Sequence, residues 1–580
     1  MPRKKPSSTR KKKEEQQLKR AVKRGPSSEA LQSSRRLQSS FIRPSPEYLD
    51  KTKSLASNTP LIRPIPSGTA IHPEHVTDQE PLTCTRRPKW RFEMTKKEVE
   101  SNEAGLFRKW IKQTDELLEQ WQSRSNQTSI PSSPTYFERN LEVWRQLWRV
   151  VEISQILLVL LDSRCPLLHY PPSLANYLAD RRVILVLTKT DIPRTSQVEA
   201  WVTYLRGHYD IPVVRAESYT SKATQDNSER HRFQPYLPQG LREQLVAAIR
   251  DLHSKMIQPP EKVKTNPAWM KGWKPSVPTH IDWEAALQFD SETPADPMPL
   301  ERSDEAEDGE TTPFLTVGLL GQPNTGKSSL LNALFGKTRV RASKTPGKTK
   351  HFQTLFWTSQ IRLVDCPGVV LPNYVPMEMQ VLSGILPIPR ISAFPACVHF
   401  VSNLLPVEKI LKLTHPAASE EQVVDKRTWR EGMKPIIKQT PSWTAMDILL
   451  AYATQKGWFT AKAGRPDVGR AANALLRALA EGRIPWAFWP PGTPPEFTGS
   501  EPGTGISLAQ ELEDDIIDDE DSDQDITAEN IEEDNYSNDD DDAEFPDTTA
   551  AVGSTLGRFA LLEVEDDGGD DDSENEEGIP

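Results

Sequence analysis

Residues 315–337 read LTVGLLGQPNTGKSSLLNALFGK: a short apolar run, a glycine-bounded turn, then Lys-Ser opening an apolar stretch with helical spacing. Few patterns constrain a fold more tightly. A strand must deliver the chain to the turn, the turn must curl so that its N–H groups face an anion, and a helix must leave from it. Gly321, Pro323, Asn324, Thr325 and Gly326 would form the phosphate cradle. Lys327 would neutralise the outer phosphates and the Ser328 hydroxyl would ligate Mg²⁺, with Ser329 beside it in the first helical turn. Such a unit needs parallel strands as neighbours, so an α/β fold is predicted.

A second element lies one strand further on. In LVDCPG, residues 363–368, a strand ends in Asp365, placed to hold Mg²⁺ through water, and Gly368 can move its N–H toward a γ-phosphate. Between the two stands SKTPGKTKHFQ, where a threonine would complete the Mg²⁺ shell only when that phosphate is present; Thr349 is the first candidate and Thr345 the second. Lys327, Thr349 and Gly368 are therefore the catalytic candidates, and Ser328, Thr349 and Asp365 the metal ligands.

The base-reading element sits upstream, in VILVLTKTDIP at 183–193. Asp191 can accept from both the ring N–H and the exocyclic amine of guanine. Adenine would leave that carboxylate unpaired, and sites of this type discriminate by roughly 10⁴ or more. Lys189 can lay its stem along the base. Thr188 stands where asparagine is usual. Ala216 and Ser218, in VVRAES, are candidates for a final base-contacting loop. Base reader at 188, phosphate loop at 321 and metal aspartate at 365 fit one sheet read from a different starting strand, because chain termini commonly lie near each other on a domain surface.

The order TKTD, GQPNTGKS, DCPG, preceded by DSRCP at 162–166, resembles the circularly permuted GTPases of the YlqF/YawG type, and more closely the eukaryotic guanine nucleotide-binding protein-like 1 group. The closer likeness rests on MPRKKP, YFERNLEVWRQLWRV, DCPGVVLPN with VLSGILPI, TAKAGRPDVGRAANALLRALAEGRI and the acidic end near GRFALLEVEDD. It covers roughly 135–495. The resemblance implies a P-loop GTPase fold of permuted strand order, GTP and Mg²⁺ as ligands, slow hydrolysis, and relatives that act on ribosomal subunits during assembly or export. It also implies a K⁺ role for Asn324, since an asparagine at this position in related GTPases helps hold that ion. Glutamine commonly follows the Asp-x-x-Gly glycine to orient the attacking water; here Val369 stands there, so a slow intrinsic rate is expected.

Four divisions follow from texture. Residues 1–100 are basic, then Pro/Ser-rich, and are expected to hold little fixed structure. Residues 101–395 carry the permuted domain, with a linker or insertion at about 257–312. Its first helices are expected in FRKWIKQTDELLEQWQ and in YFERNLEVWRQLWRV, the latter capped by Ser133 with Pro134 as its first residue. Residues 396–498 read as a mainly helical C-terminal domain, and 499–580 as an acidic disordered tail. The net charge of −11 thus hides a basic start and an acidic end. The basic segments suit RNA or a ribosomal particle through phosphates, without DNA sequence specificity. The partners of the acidic tail stay open, and Ser522, Ser537 and Ser573 in it are phosphorylation candidates.

Four scattered cysteines argue against a disulfide scaffold, and the longest apolar run, ILLVLL at 156–161, is far short of the roughly 20 residues of a membrane span. An intracellular protein of the cytoplasm, the nucleus or both, with the nucleolus open, is expected. The competing reading is a nucleotide-sensing scaffold whose charged tails recruit proteins while hydrolysis is unimportant.

Overall fold

Three runs too apolar to face water form the centre of the structure: β1 (Ile156–Asp162), β2 (Val183–Thr188) and β6 (Leu315–Leu320), each buried at every position. Strands covered on both faces read this way, without alternation. With β3 (Val213–Arg215), β7 (Gln353–Phe356) and β8 (Ile361–Asp365) they make one sheet in the order β3-β2-β1-β6-β8-β7, parallel except for β7. A two-residue ribbon, β4 (Tyr219–Thr220) with β5 (Gln234–Pro235), stands apart. This computed structural model describes residues 37, 39–41, 45–74, 80–124, 133–220, 234–265, 270, 273–288, 314–340, 351–388, 393–418, 442–460, 464–498 and 503–508. Thr345, Thr349, Ser522, Ser537, Ser573 and both charged ends lie outside them.

The strand order places the chain's early strands beside its later ones: β1 pairs with β6 across more than half of the domain's sequence. Register then fixes the functional edge. Asp162 lies opposite Thr188, Val159 opposite Leu320, and Leu319 opposite Asp365. All five parallel strands deliver their loops to one side of the sheet, where ligands of open parallel sheets bind.

Helices cover both faces. On one, α1 (Pro46–Asn58), α2 (Lys96–Arg124), α3 (Leu141–Ile153) and α4 (Thr195–Tyr209) share an apolar core with Leu157, Val159 and Leu161. On the other, α5 (Gln239–Ile257) and α6 (Lys327–Phe335) pack Leu245, Ile249, Leu330 and Leu331 against Ile156, Leu158 and Leu160. Helix α3 buries Val143, Trp144, Leu147, Trp148 and Val151, a spacing of three and four that sets one face inward.

Four expectations change. Residues 45–74 and 80–100 hold fixed structure: Ser45 caps α1, Thr52 and Ala56 are buried, and Leu61 N–H donates to the Trp443 carbonyl at 2.8 Å. Such a segment has no periodicity to read, because it borrows its order by setting single apolar side chains (Leu61, Ile65, Leu82) into gaps of a core built elsewhere. Ser133 does not cap α3. No helix forms over 133–140, Asn140 accepts from Glu142 N–H at 2.9 Å as the cap, and Ser133 is buried against Glu378 and the Met377 amide. Within the expected insertion, Val277, Ile281 and Ala286 are buried beside α5, and Asp282 caps a turn of helix at Trp283–Leu287. Finally, α7 (Met377–Leu382), α8 (Phe394–Leu404), α9 (Ala445–Gln455) and α10 (Val468–Ala480) share one continuous core with the sheet face rather than forming a separate domain after residue 395. Among the described residues no helix is long and apolar enough to cross a membrane.

Candidate nucleotide site

The turn between β6 and α6 takes backbone angles that only particular residues tolerate. Gly321 has φ of 151°, and a Cβ there would meet the Leu160 carbonyl and the Thr325 hydroxyl at 2.9 Å each. Gly326, at φ 87°, hands the chain to α6, while Asn324 holds a left-handed φ of 59°, a conformation that asparagine accepts more readily than most residues. Pro323 and Thr325 are buried, and Ser329 is half-buried in the first turn of α6.

Lys327 lies almost wholly inside this turn. Its ammonium donates to the carbonyls of Gly321 at 2.9 Å and Gln322 at 2.6 Å. Burial pushes its pKa down to about 8, against the opposing pull of Asp365. Asp365 is buried too, and burial pushes its carboxyl up to about 6 despite Lys327 and a 2.9 Å hydrogen bond from the Ser328 hydroxyl to Oδ2. Its other oxygen, Oδ1, is buried without a hydrogen-bond partner among the described residues. A hydroxyl, an orphaned carboxylate oxygen and a cradle of N–H groups suit Mg²⁺ with a phosphate chain.

Gly368 follows Asp365 closely and packs on the cradle: a Cβ would sit 2.8 Å from both Cα and N of Pro323. No larger residue could approach the loop so nearly. Val369, next to it, turns its side chain into the core at 2% exposure.

The base-reading candidates reach the same place. Thr188, fully buried, sets Oγ1 2.8 Å from the Thr325 carbonyl and 3.0 Å from that of Leu161, and donates to the nearer. The departure from asparagine thus still yields a tie between the base-reading strand and the phosphate loop. Lys189, at φ 54°, donates to Asp162 Oδ2 at 2.8 Å, and Asp191 stays exposed at the rim. Ala216 is buried, its N–H on the Leu187 carbonyl, and Ser218 is half-buried. Thr349 lies outside the described residues.

Residues 316–414 match the family model described as 50S ribosome-binding GTPase. Guanine nucleotide-binding protein-like 1 of Homo sapiens is 34% identical over 435 residues, covering 71% of this chain and 65% of the relative. GTPase LSG1-2 of Arabidopsis thaliana is 29% identical over 464 residues, 78% and 69% of the two chains. The chain therefore spans about 65% of the length of the first of these relatives. The structure of GNP-bound YlqF from T. maritima aligns over 59% of this chain and 94% of its own, at 15% identity and a TM-score of 0.30, a level that adds nothing to the sequence relatives. These relatives, with the order of the motifs and of the strands, support a circularly permuted GTPase.

The C-terminal helices close over the site, through residues to which motif spacing gave no role. Arg164 is fully buried. Its guanidinium pairs with Asp162 through Nε and Nη2, donates to the Leu479 carbonyl at 2.8 Å and the Ala480 carbonyl at 3.0 Å, and lies 4.6 Å from the centre of the Trp486 ring. Although burial favours the neutral acid, Arg164 and Lys189 hold the Asp162 carboxyl well below its ordinary range. The signal in the sequence was two opposite charges at the end of an apolar strand, which can be buried only as a pair. On the phosphate side, Asn324 Nδ2 donates to the Gly384 carbonyl at 2.9 Å. On the base side, Gly482, at φ 80°, approaches so closely that a Cβ would stand 2.6 Å from Ile192 Cδ1.

Proposed function

We propose that the chain binds GTP with Mg²⁺, hydrolyses it slowly, and uses the two nucleotide states to engage and leave a ribosomal particle. The observation that carries the reading is the bond from Thr188 to the Thr325 carbonyl, which joins the guanine-reading segment to the phosphate loop as one site. Ser328 and Asp365 are the residues that would hold the metal, and when bound it neutralises charge on the outer phosphates. Lys327 would exchange loop carbonyls for phosphate oxygens, and Gly368, packed against Pro323 of the cradle, would turn its N–H toward a γ-phosphate. With Val369 turned into the core, its side chain orients no water, which supports a rate far below 1 s⁻¹, the lower end of the ordinary enzyme range.

Asn324 has its amide nitrogen committed to Gly384, so its oxygen is the atom that K⁺ would take. Turnover should rise in K⁺ relative to Na⁺; equal rates would remove the ion from the mechanism. The ribosomal part draws support from the family model over 316–414. Lysate run on a density gradient should carry the chain with large ribosomal particles under a non-hydrolysable GTP analogue and release it under GDP. A chain that stays at the top of the gradient in both states would leave the particle out of its function.

A further inference from the structure

Residues 86–92, RRPKWRF, place four cations and two large aromatics in seven positions. The stretch before them is nailed down. Trp110 Nε1 donates to the Thr83 carbonyl at 2.8 Å, Trp148 Nε1 to the Thr85 carbonyl at 2.9 Å, and Leu82 and Cys84 are buried. Arg86 donates to the Asn176 carbonyl, and Arg87 pairs with Glu103 and Glu152. Beyond these anchors the chain turns outward. Trp90 is 47% and Phe92 95% exposed, with their rings 5.2 Å apart and inclined at 71°, an edge-to-face contact rather than a stack. Lys89 and Arg91 are exposed and form no ion pair among the described residues.

We propose that this strap docks single-stranded RNA. An apolar protein partner would call for a wider patch, whereas this single pair of rings is adjoined in the chain by the exposed cations Lys89 and Arg91. Alternating cations and open aromatic faces match a strand whose phosphates and bases alternate in the same way. Behind Trp90 lies a cavity of about 680 Å³, bounded by Trp148 and lined by both signs of charge, Lys96 and Arg149 with Glu100, Glu103 and Glu142. That is room for a splayed base, whose edge carries both donors and acceptors. The proposal rests on the ribosomal reading above only for where the RNA comes from.

The test uses the full chain and a labelled oligouridylate, followed by fluorescence anisotropy across a salt series. Trp90→Ala with Phe92→Ala should weaken binding by about tenfold or more while preserving the salt slope. Lys89→Gln with Arg91→Gln should lower that slope by about 0.7 for each phosphate left without its cation. Unchanged thermal unfolding and GTP-analogue binding would show that both variants fold. Full affinity in the aromatic variant would overturn the strap, as would an unaltered chain that binds no oligouridylate. The gradient separates the two readings: particle binding by an unaltered chain that fails the oligouridylate test sinks the strap alone. An aromatic variant that leaves the particle yet keeps its oligouridylate affinity would assign the strap to a protein and also overturn the proposal.

Discussion

Thr188 carries, with one hydroxyl, a link between segments 137 residues apart in the chain. Thr188→Val keeps the shape and deletes the donor, leaving the Thr325 carbonyl buried without it, a cost of about 1–3 kcal/mol. Guanine-nucleotide affinity measured by calorimetry should fall by about tenfold; an unchanged value would show that the loop needs no such tie. Asp365 sets a pH dependence. Its carboxyl is raised to about 6, so in the empty protein the folded state holds the proton more tightly than the unfolded chain between about pH 4 and 6. Stability of the empty protein should therefore decline as pH rises through that window. Mg²⁺ needs the ionised form, so Mg²⁺ affinity should fall as pH drops below about 6. Fluorescence titrations with Mg²⁺ from pH 5 to 8 would show it, and a fall confined to below pH 4 would mean an unperturbed carboxylate. The cradle residues were legible in sequence because each is dictated by local chemistry: φ at Gly321 and Gly326, charge at Lys327, a hydroxyl at Ser328. Arg164 was not, because its carbonyl partners lie 315 and 316 residues away.

At the scale of elements, the strands were legible and some helix ends were not. β1, β2 and β6 declare themselves by unbroken apolar runs, but Ser133-Pro134 imitates a helix start while Asn140 provides the real one. The difference is tertiary: Ser133 is held by Glu378 and by the amide of Met377 at the head of α7. The end of α10 is the element that most affects the site, since Arg164 takes two of its last carbonyls. Arg164→Met removes a buried cation from Asp162 and should cost about 3–5 kcal/mol in urea unfolding. Arg164→Lys should recover little, because an ammonium cannot span a carboxylate and two carbonyls as a planar fork does. A loss below about 1 kcal/mol in Arg164→Met would show the pair to be replaceable. Because the folded-state carboxyl of Asp162 is depressed, its contribution is complete above about pH 4 and is lost as pH falls toward the folded value.

For the molecule as a whole, the division expected at residue 395 fails for a physical reason. Composition marks 396–498 as helical, but nothing in it reveals that Ile448, Leu449, Leu475 and Leu479 complete a core begun by β1. A chain cut after residue 393 would expose that face along with Arg164. It should lose its cooperative unfolding transition and be cleaved throughout by dilute protease; a compact, nucleotide-binding fragment would restore the two-domain view. The Asp162–Arg164 pair also bears on synthesis. Arg164 emerges 315 residues before Leu479, and at about 5–20 residues per second that interval lasts about 15–60 s. Through that time the base-reading half is complete as a polymer but lacks the carbonyls that make burial of its arginine tolerable. The permutation therefore has a temporal side: the Asp162–Arg164 pair can gain its two carbonyls only after the last turn of α10 has been made.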